Sequence, residues 1–248
     1  MASTSETGHA KNVANFDDLI SFVAGYGTTY NPSKATIKLT ALQTLSTSAK
    51  NAINAVNTSF PAYSNAVAAR EAAFKPLSKL ITRVMNALKA TDTTEQVDES
   101  AKTLARKIQG TRATAKKTEK EIAVATAEGK ETKEISSSQM SYDSRLDNFD
   151  KLIKLLTSVT LYAPNEVDLK VTALTTLYND LKAKNVAVVN ATTPLSNARI
   201  VRNDILYKTN TGLVDIAFDT KTYIKSLYGA TSPQYKQVSK LEFKAVKV

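Results

Sequence analysis

The chain has no cysteine, no tryptophan and one histidine, and it spreads seven glycines and six prolines over 248 residues. Without thiols there is no disulfide, no thiolate nucleophile and no cysteine-bound zinc, although this alone does not decide the compartment. Ser-His-Asp and Cys-His constellations are excluded or nearly so. The one imidazole, His9, lies in a polar N-terminal stretch and reads as a solvated tail residue. Gly and Pro are the strongest punctuation of a chain, so their scarcity predicts few turns and long elements. No window approaches the roughly eighteen uninterrupted apolar residues of a membrane span. The opening MASTSETGHAKNVANF lacks the basic start and apolar stretch of a secretory signal. The expectation is a soluble, cytoplasmic protein, with export by a route that needs no such signal left open.

What is present is an ordinary hydrophobic share of 42% and a strong positive balance, 33 Lys and Arg against 23 Asp and Glu, giving a net charge of +10. That sign suits anionic partners such as nucleic acid, and equally a soluble, self-repelling surface.

The chain also repeats itself. YNPSKATIKLTAL from Tyr30 returns 132 positions later as YAPNEVDLKVTAL from Tyr162, with six of thirteen residues identical. Unrelated segments would share roughly one. NFDDLISFV from Asn15 matches NFDKLIKLL from Asn148, and SNAVAAR from Ser64 matches SNARIVR from Ser196, which pairs Arg70 with Arg202. Two copies of one unit follow from this. In each, a Tyr-x-Pro corner (Tyr30 and Pro32, Tyr162 and Pro164) precedes a long amphipathic pattern, Ile37, Leu42, Leu45, Ala49 in one and Leu169, Ala173, Leu177, Leu181 in the other. Pro61 in NTSFPAYS and Pro194 in NATTPLS then predict a break, with Ser64 and Ser196 as caps of a returning helix. The predicted fold is all-α: an elongated bundle of two tandem-duplicated helical hairpins joined by a charged helical connector. Its segments are a polar tail over 1–14, hairpin repeats over 15–98 and 148–231, the connector over 99–147, and an extended C-terminal arm over 232–248. A charged linker without regular structure is the competing reading of the connector.

The stretches SSSQMSYDSRLDNFDKLIKLL and YGATSPQYKQVSKLEF resemble segments of an uncharacterised family of duplicated all-helical proteins in Bacteroidota. The resemblance implies a bacterial, duplicated helical protein; it implies no activity and carries over no functional residue.

Candidate sites are few. A basic stripe on the connector, Lys102, Arg106, Arg112, Lys116, Lys117 and Lys120, has helical spacing suited to phosphates, diluted by Glu119 and Glu121 and without aromatics to stack on bases. A solvated helix face is its plainer reading. Asp17 and Asp18 diverge by about 100° on a helix and suit a first-turn role better than a metal site. In the C-terminal arm, Tyr235, Leu241, Phe243 and Val246 alternate with charge, which suits pairing with another element that an all-helical monomer does not offer. Arg70 and Arg202 suit internal pairing or a repeated contact with a symmetric partner. No catalytic, cofactor or metal site is expected. The reading is a non-enzymatic structural protein that self-assembles as a homo-oligomer or binds another protein. A basic nucleic-acid-binding protein is the alternative, and a membrane-active helical toxin the third.

Overall fold

The structure, a computed structural model, describes residues 7–111 and 140–245. Its helices are α1 (Thr7–Gly25), α2 (Leu39–Phe74), α3 (Leu77–Lys89), α4 (Glu95–Gln109), α5 (Tyr142–Ser158), α6 (Val171–Tyr207), α7 (Leu213–Tyr228) and α8 (Pro233–Ser239). Short 3₁₀ turns, Ala35–Ile37 and Val167–Leu169, precede α2 and α6. No strand occurs among the described residues, and the chain is all-α.

The hairpins are not there. α2 runs through Pro61 for 36 residues and α6 through Pro194 for 37, so neither proline ends its helix and Ser64 and Ser196 are interior residues, not caps. A proline inside a helix deletes one hydrogen bond to the carbonyl four residues back and costs about 3 kcal/mol. Here that carbonyl belongs to Asn57 or Asn190, both exposed, so water can take the vacant acceptor. The helices are held on either side of the proline by buried residues: Ala52 and Val56 before Pro61 and Phe74 after it, Leu181 and Val188 before Pro194 and Leu206 after it. The real breaks come later, at Lys75–Pro76 and in the segment KTNTG, where Asn210 adopts a positive φ of 66°.

Because the long helices do not fold back, the chain does not divide by repeat. It forms one compact unit from Met1–Ser64 with Asn190–Val248 and a second from Asn65–Val189. Each unit takes the opening of one repeat and the close of the other. In the first, α1 supplies Phe16 and Leu19, the start of α2 Leu42, and α7 Leu213 and Ile216. In the second, α5 supplies Phe149 and Leu152, the start of α6 Leu174, and α3 Ile81 and Leu88, with Ala101, Ala105 and Ile108 of α4.

Three further boundaries move. The polar tail is already helical from Thr7. The long helices start about five residues later than the corner suggested, because Lys38 and Lys170 remain extended. The connector gives residues 99–109 to α4, whose apolar face is buried in the second unit. That helix stops at Gly110, left-handed at φ 70°, where a Cβ would also lie 2.2 Å from Met140 Sδ.

If Pro61 and Pro194 sit inside continuous helices, replacing either by Ala restores one helical hydrogen bond. Each substitution is expected to raise stability by about 1–3 kcal/mol, read as a higher urea midpoint at unchanged slope. An unchanged or lower midpoint would indicate that the chain needs a turn there.

Candidate assembly site

In the first unit, α1 holds the C-terminal arm through buried polar side chains. Asn12 and Asn15 stand three residues apart on the buried side of α1, beside Val13 and Phe16. The Asn12 amide donates from Nδ2 to Lys244 O at 2.8 Å, and Oδ1 accepts from Lys244 N–H at 3.1 Å. Asn15 Nδ2 donates to Glu242 O at 2.6 Å. Both side chains thus read main chain, as a neighbouring strand would. From α7, Lys221 Nζ donates to Leu241 O at 2.9 Å and Ser239 O at 3.3 Å. The same ammonium lies 5.8 Å from the Phe243 ring and 6.0 Å from Phe218, and burial lowers its pKa from the usual lysine value.

The arm residues therefore have a partner inside the monomer, which sequence reasoning did not find. Phe243 is buried against Phe218, Leu241 is half-buried, and Tyr235 sits in α8 beneath Lys225; Val246 lies outside the described residues. Of the extended arm expected over 232–248, Pro233–Ser239 is instead the helix α8, and Leu241–Ala245 is extended but not a strand, since its bonds go to side chains. His9 is not a solvated tail residue: it is 4% exposed, with Nδ1 2.6 Å from the Tyr207 hydroxyl. The spacing that would have revealed this site is the polar pair Asn12 and Asn15 interrupting the apolar face of α1.

The Tyr-x-Pro corners repeat the same internal bond. Tyr30 donates its hydroxyl to Ile37 O at 2.7 Å and Tyr162 to Leu169 O at 2.9 Å, which stops each 3₁₀ turn before the long helix begins. Pro32 is buried and Pro164 half-buried. Arg70 and Arg202 differ in their partners. Arg70 stacks 3.9 Å over the Tyr142 ring and donates to Asn185 Oδ1 at 3.0 Å, while Asn185 Nδ2 reaches Asp143 Oδ1 at 2.7 Å. Arg202, 5% exposed, donates through Nε and Nη2 to Asn203 Oδ1 at 3.1 and 2.9 Å. Asp17 lies mid-helix and not in a first turn, accepting from Ser46 Oγ at 2.5 Å and Lys50 Nζ at 2.8 Å.

Of the basic stripe, Lys102 pairs with Glu99 at 2.7 Å and Arg106 donates to Thr103 Oγ1. Both line a cavity of about 440 Å³ that also carries Glu95 and Asp98, so its charge is mixed. Arg112, Lys116, Lys117 and Lys120 lie outside the described residues. A second cavity, about 520 Å³, opens at the Tyr162 corner between Arg83, Asn86, Leu161 and Glu166. Among the described residues no group of three His, Cys, Asp or Glu is placed to hold a metal ion, and no helix is long and apolar enough to cross a membrane.

Burial raises both corner tyrosines to about 12, aided at Tyr162 by Glu166 and Asp168; at Tyr30 Thr220 opposes the shift and Tyr223 adds to it. The unfolded chain gives up these protons near pH 10 and the folded chain near 12. The folded state therefore binds more protons between those values. Their contribution, on the order of 2 kcal/mol each, is whole below pH 10 and lost as pH rises to 12. Tyr30→Phe or Tyr162→Phe should cost about 1–2 kcal/mol at pH 8 and make the loss between pH 10 and 12 shallower, by urea unfolding. An alkaline loss as steep in the Phe variants would place its source elsewhere.

No family model, curated protein or solved structure matches the chain.

Proposed function

We propose that this is a non-enzymatic structural protein that assembles with copies of itself through protein–protein contacts. The observation that carries the reading is the set of exposed β-branched residues on α6. Val186 and Val189, one turn apart in the second unit, and Ile200 and Val201 in the first, are all exposed. β-branched residues are mediocre helix formers, and about half of each of these side chains is left open to a further contact. Phe60 on α2 and Phe218 on α7 add large exposed apolar surface to the first unit. Covering the exposed half of one such side chain contributes roughly 1 kcal/mol, and a symmetric contact counts each residue twice against an association cost of about 4 kcal/mol or more.

The net charge of +10 opposes this association. Salt screens like-charge repulsion and leaves the apolar contact in place, whereas salt weakens phosphate binding steeply. Self-assembly and the alternative, nucleic-acid binding, therefore respond to salt with opposite signs. Light scattering on a sizing column is expected to show mass growing with protein concentration, and more so at high salt. Val189→Lys with Ile200→Lys should raise the dissociation constant about tenfold or more per residue, with helicity unchanged by circular dichroism. A monomer at every concentration and salt, or a complex that carries nucleic acid only at low salt, would displace the proposal.

A further inference from the structure

The arm over Leu241–Ala245 is held by contacts that any copy of the same segment would satisfy. Asn12 and Asn15 bind the carbonyls of Lys244 and Glu242, Asn12 also accepts from Lys244 N–H, and Lys221 binds the carbonyl of Leu241. The side-chain anchors, Phe243 against Phe218 and the half-buried Leu241, travel with the segment itself. What ties the arm to its own groove is only its tether. The last turn of the chain before it, α8, is seven residues long and keeps a single buried residue, Val238. It leaves α7 through Gly229 at φ 85°, whose carbonyl accepts from Ser232 N–H and Oγ, and Tyr26, just after α1, reaches α8 by donating its hydroxyl to Gln234 O at 3.2 Å.

We propose that the groove formed by Asn12 and Asn15 of α1 with Lys221 and Phe218 of α7 is an acceptor site for the C-terminal arm of a second copy of this chain, filled by its own arm in the monomer. This inference rests on the self-assembly reading and names its joint. The exchanged and unexchanged states contain the same hydrogen bonds, so their balance is set by the tether. A short tether gives the chain's own arm an effective concentration near the millimolar range. Exchange is therefore favoured where copies are crowded, as they are once the α6 surfaces have met. A reciprocal exchange closes a dimer, and a one-way exchange propagates.

The absence of cysteine allows a direct test, because each introduced thiol is the one thiol in its chain. Asn15→Cys puts a thiol on the side chain that lies 2.6 Å from the Glu242 main-chain carbonyl, and Glu242→Cys puts one on that arm residue. Carried together in one chain they should close an internal disulfide, which establishes that the pair can meet. Carried singly, mixed and oxidised with diamide, they can join only if one chain's arm lies in the other's groove. The mixed disulfide is expected at about tenfold or more over Glu242→Cys mixed with Lys75→Cys, an exposed position in the second unit. Asn12→Cys with Lys244→Cys serves if Asn15→Cys lowers helicity. A mixed disulfide no more abundant than the control overturns the inference. If wild-type mass still grows with concentration in that case, the assembly reading stands and its joint lies elsewhere; if the chain stays monomeric, both fall. A labelled peptide of unrelated sequence with the same apolar alternation, binding the full chain as tightly as a peptide of residues 241–248, would assign the groove to foreign segments and also overturn the proposal.

Discussion

The uninterrupted course of α2 through Pro61 and of α6 through Pro194 is the constraint on which the rest of the fold depends. A helix that does not turn back delivers the two ends of its own repeat to different units. α1 opens one end of α2 and α3 leaves the other, so Phe16 and Leu19 never meet Ile81 and Leu88. Each half-core then lacks the second layer that an amphipathic stripe needs. The other repeat supplies it, twice, with the halves reversed. Within this chain neither repeat closes a core from its own residues alone; each core is made from parts of both.

The apolar faces were legible because they are local. Leu42 and Leu174, Phe16 and Phe149, Ile37 and Leu169 sit at matching places in the repeat, and every one is buried. The course of the chain was not legible, because it turns on a contest between a local penalty and distant packing. A proline costs about 3 kcal/mol wherever it interrupts a helix. Whether that cost ends the helix depends on what Val56 and Phe74, or Val188 and Leu206, bury against, which no window of sequence contains. KTNTG carries ordinary turn chemistry and does break the helix, whereas Pro194, the stronger local signal, does not. His9 and the arm were misread for one reason: their partners, Tyr207 for the one and Asn12 and Asn15 for the other, lie about two hundred residues away.

The two corners, alike in sequence, differ in the charge they present. Lys34 of the first corner pairs with Asp219 of α7 at 2.5 Å, whereas Asp168 of the second pairs with both terminal nitrogens of Arg83 on α3. Arg83 holds the Asp168 carboxyl below the usual carboxylate range through that hydrogen bond. The sign of the charge is thus reversed from one unit to the other. If a corner met the later helix of its own repeat, Lys34 would face Arg83 and Asp168 would face Asp219. Exposed pairs contribute little to stability, but like charges placed together discriminate between pairings that bury the same apolar surface. The corners differ in covering too: Leu161 and Val167 are exposed in the second copy where the first has Thr29 and Ala35.

The two units also close differently, and that difference bears on assembly. In the repeat, Asn12 of α1 corresponds to Arg145 of α5, and both reach across to main-chain carbonyls of the segment that completes their unit. Arg145 Nε donates to Ile108 O at 3.1 Å, near the end of α4, a fifteen-residue helix with Ala101, Ala105 and Ile108 buried along one face. Asn12 donates to Lys244 O in an extended strip with Phe243 as its one buried side chain. A helix so anchored cannot leave without opening its unit, since its carbonyls and its apolar face are both committed. The strip can leave at the expense of a few hydrogen bonds and one phenylalanine, and an identical strip restores all of them. The two units therefore close differently, one on a helix whose apolar face is buried along its length and one on a short extended strip held by main-chain hydrogen bonds and one phenylalanine.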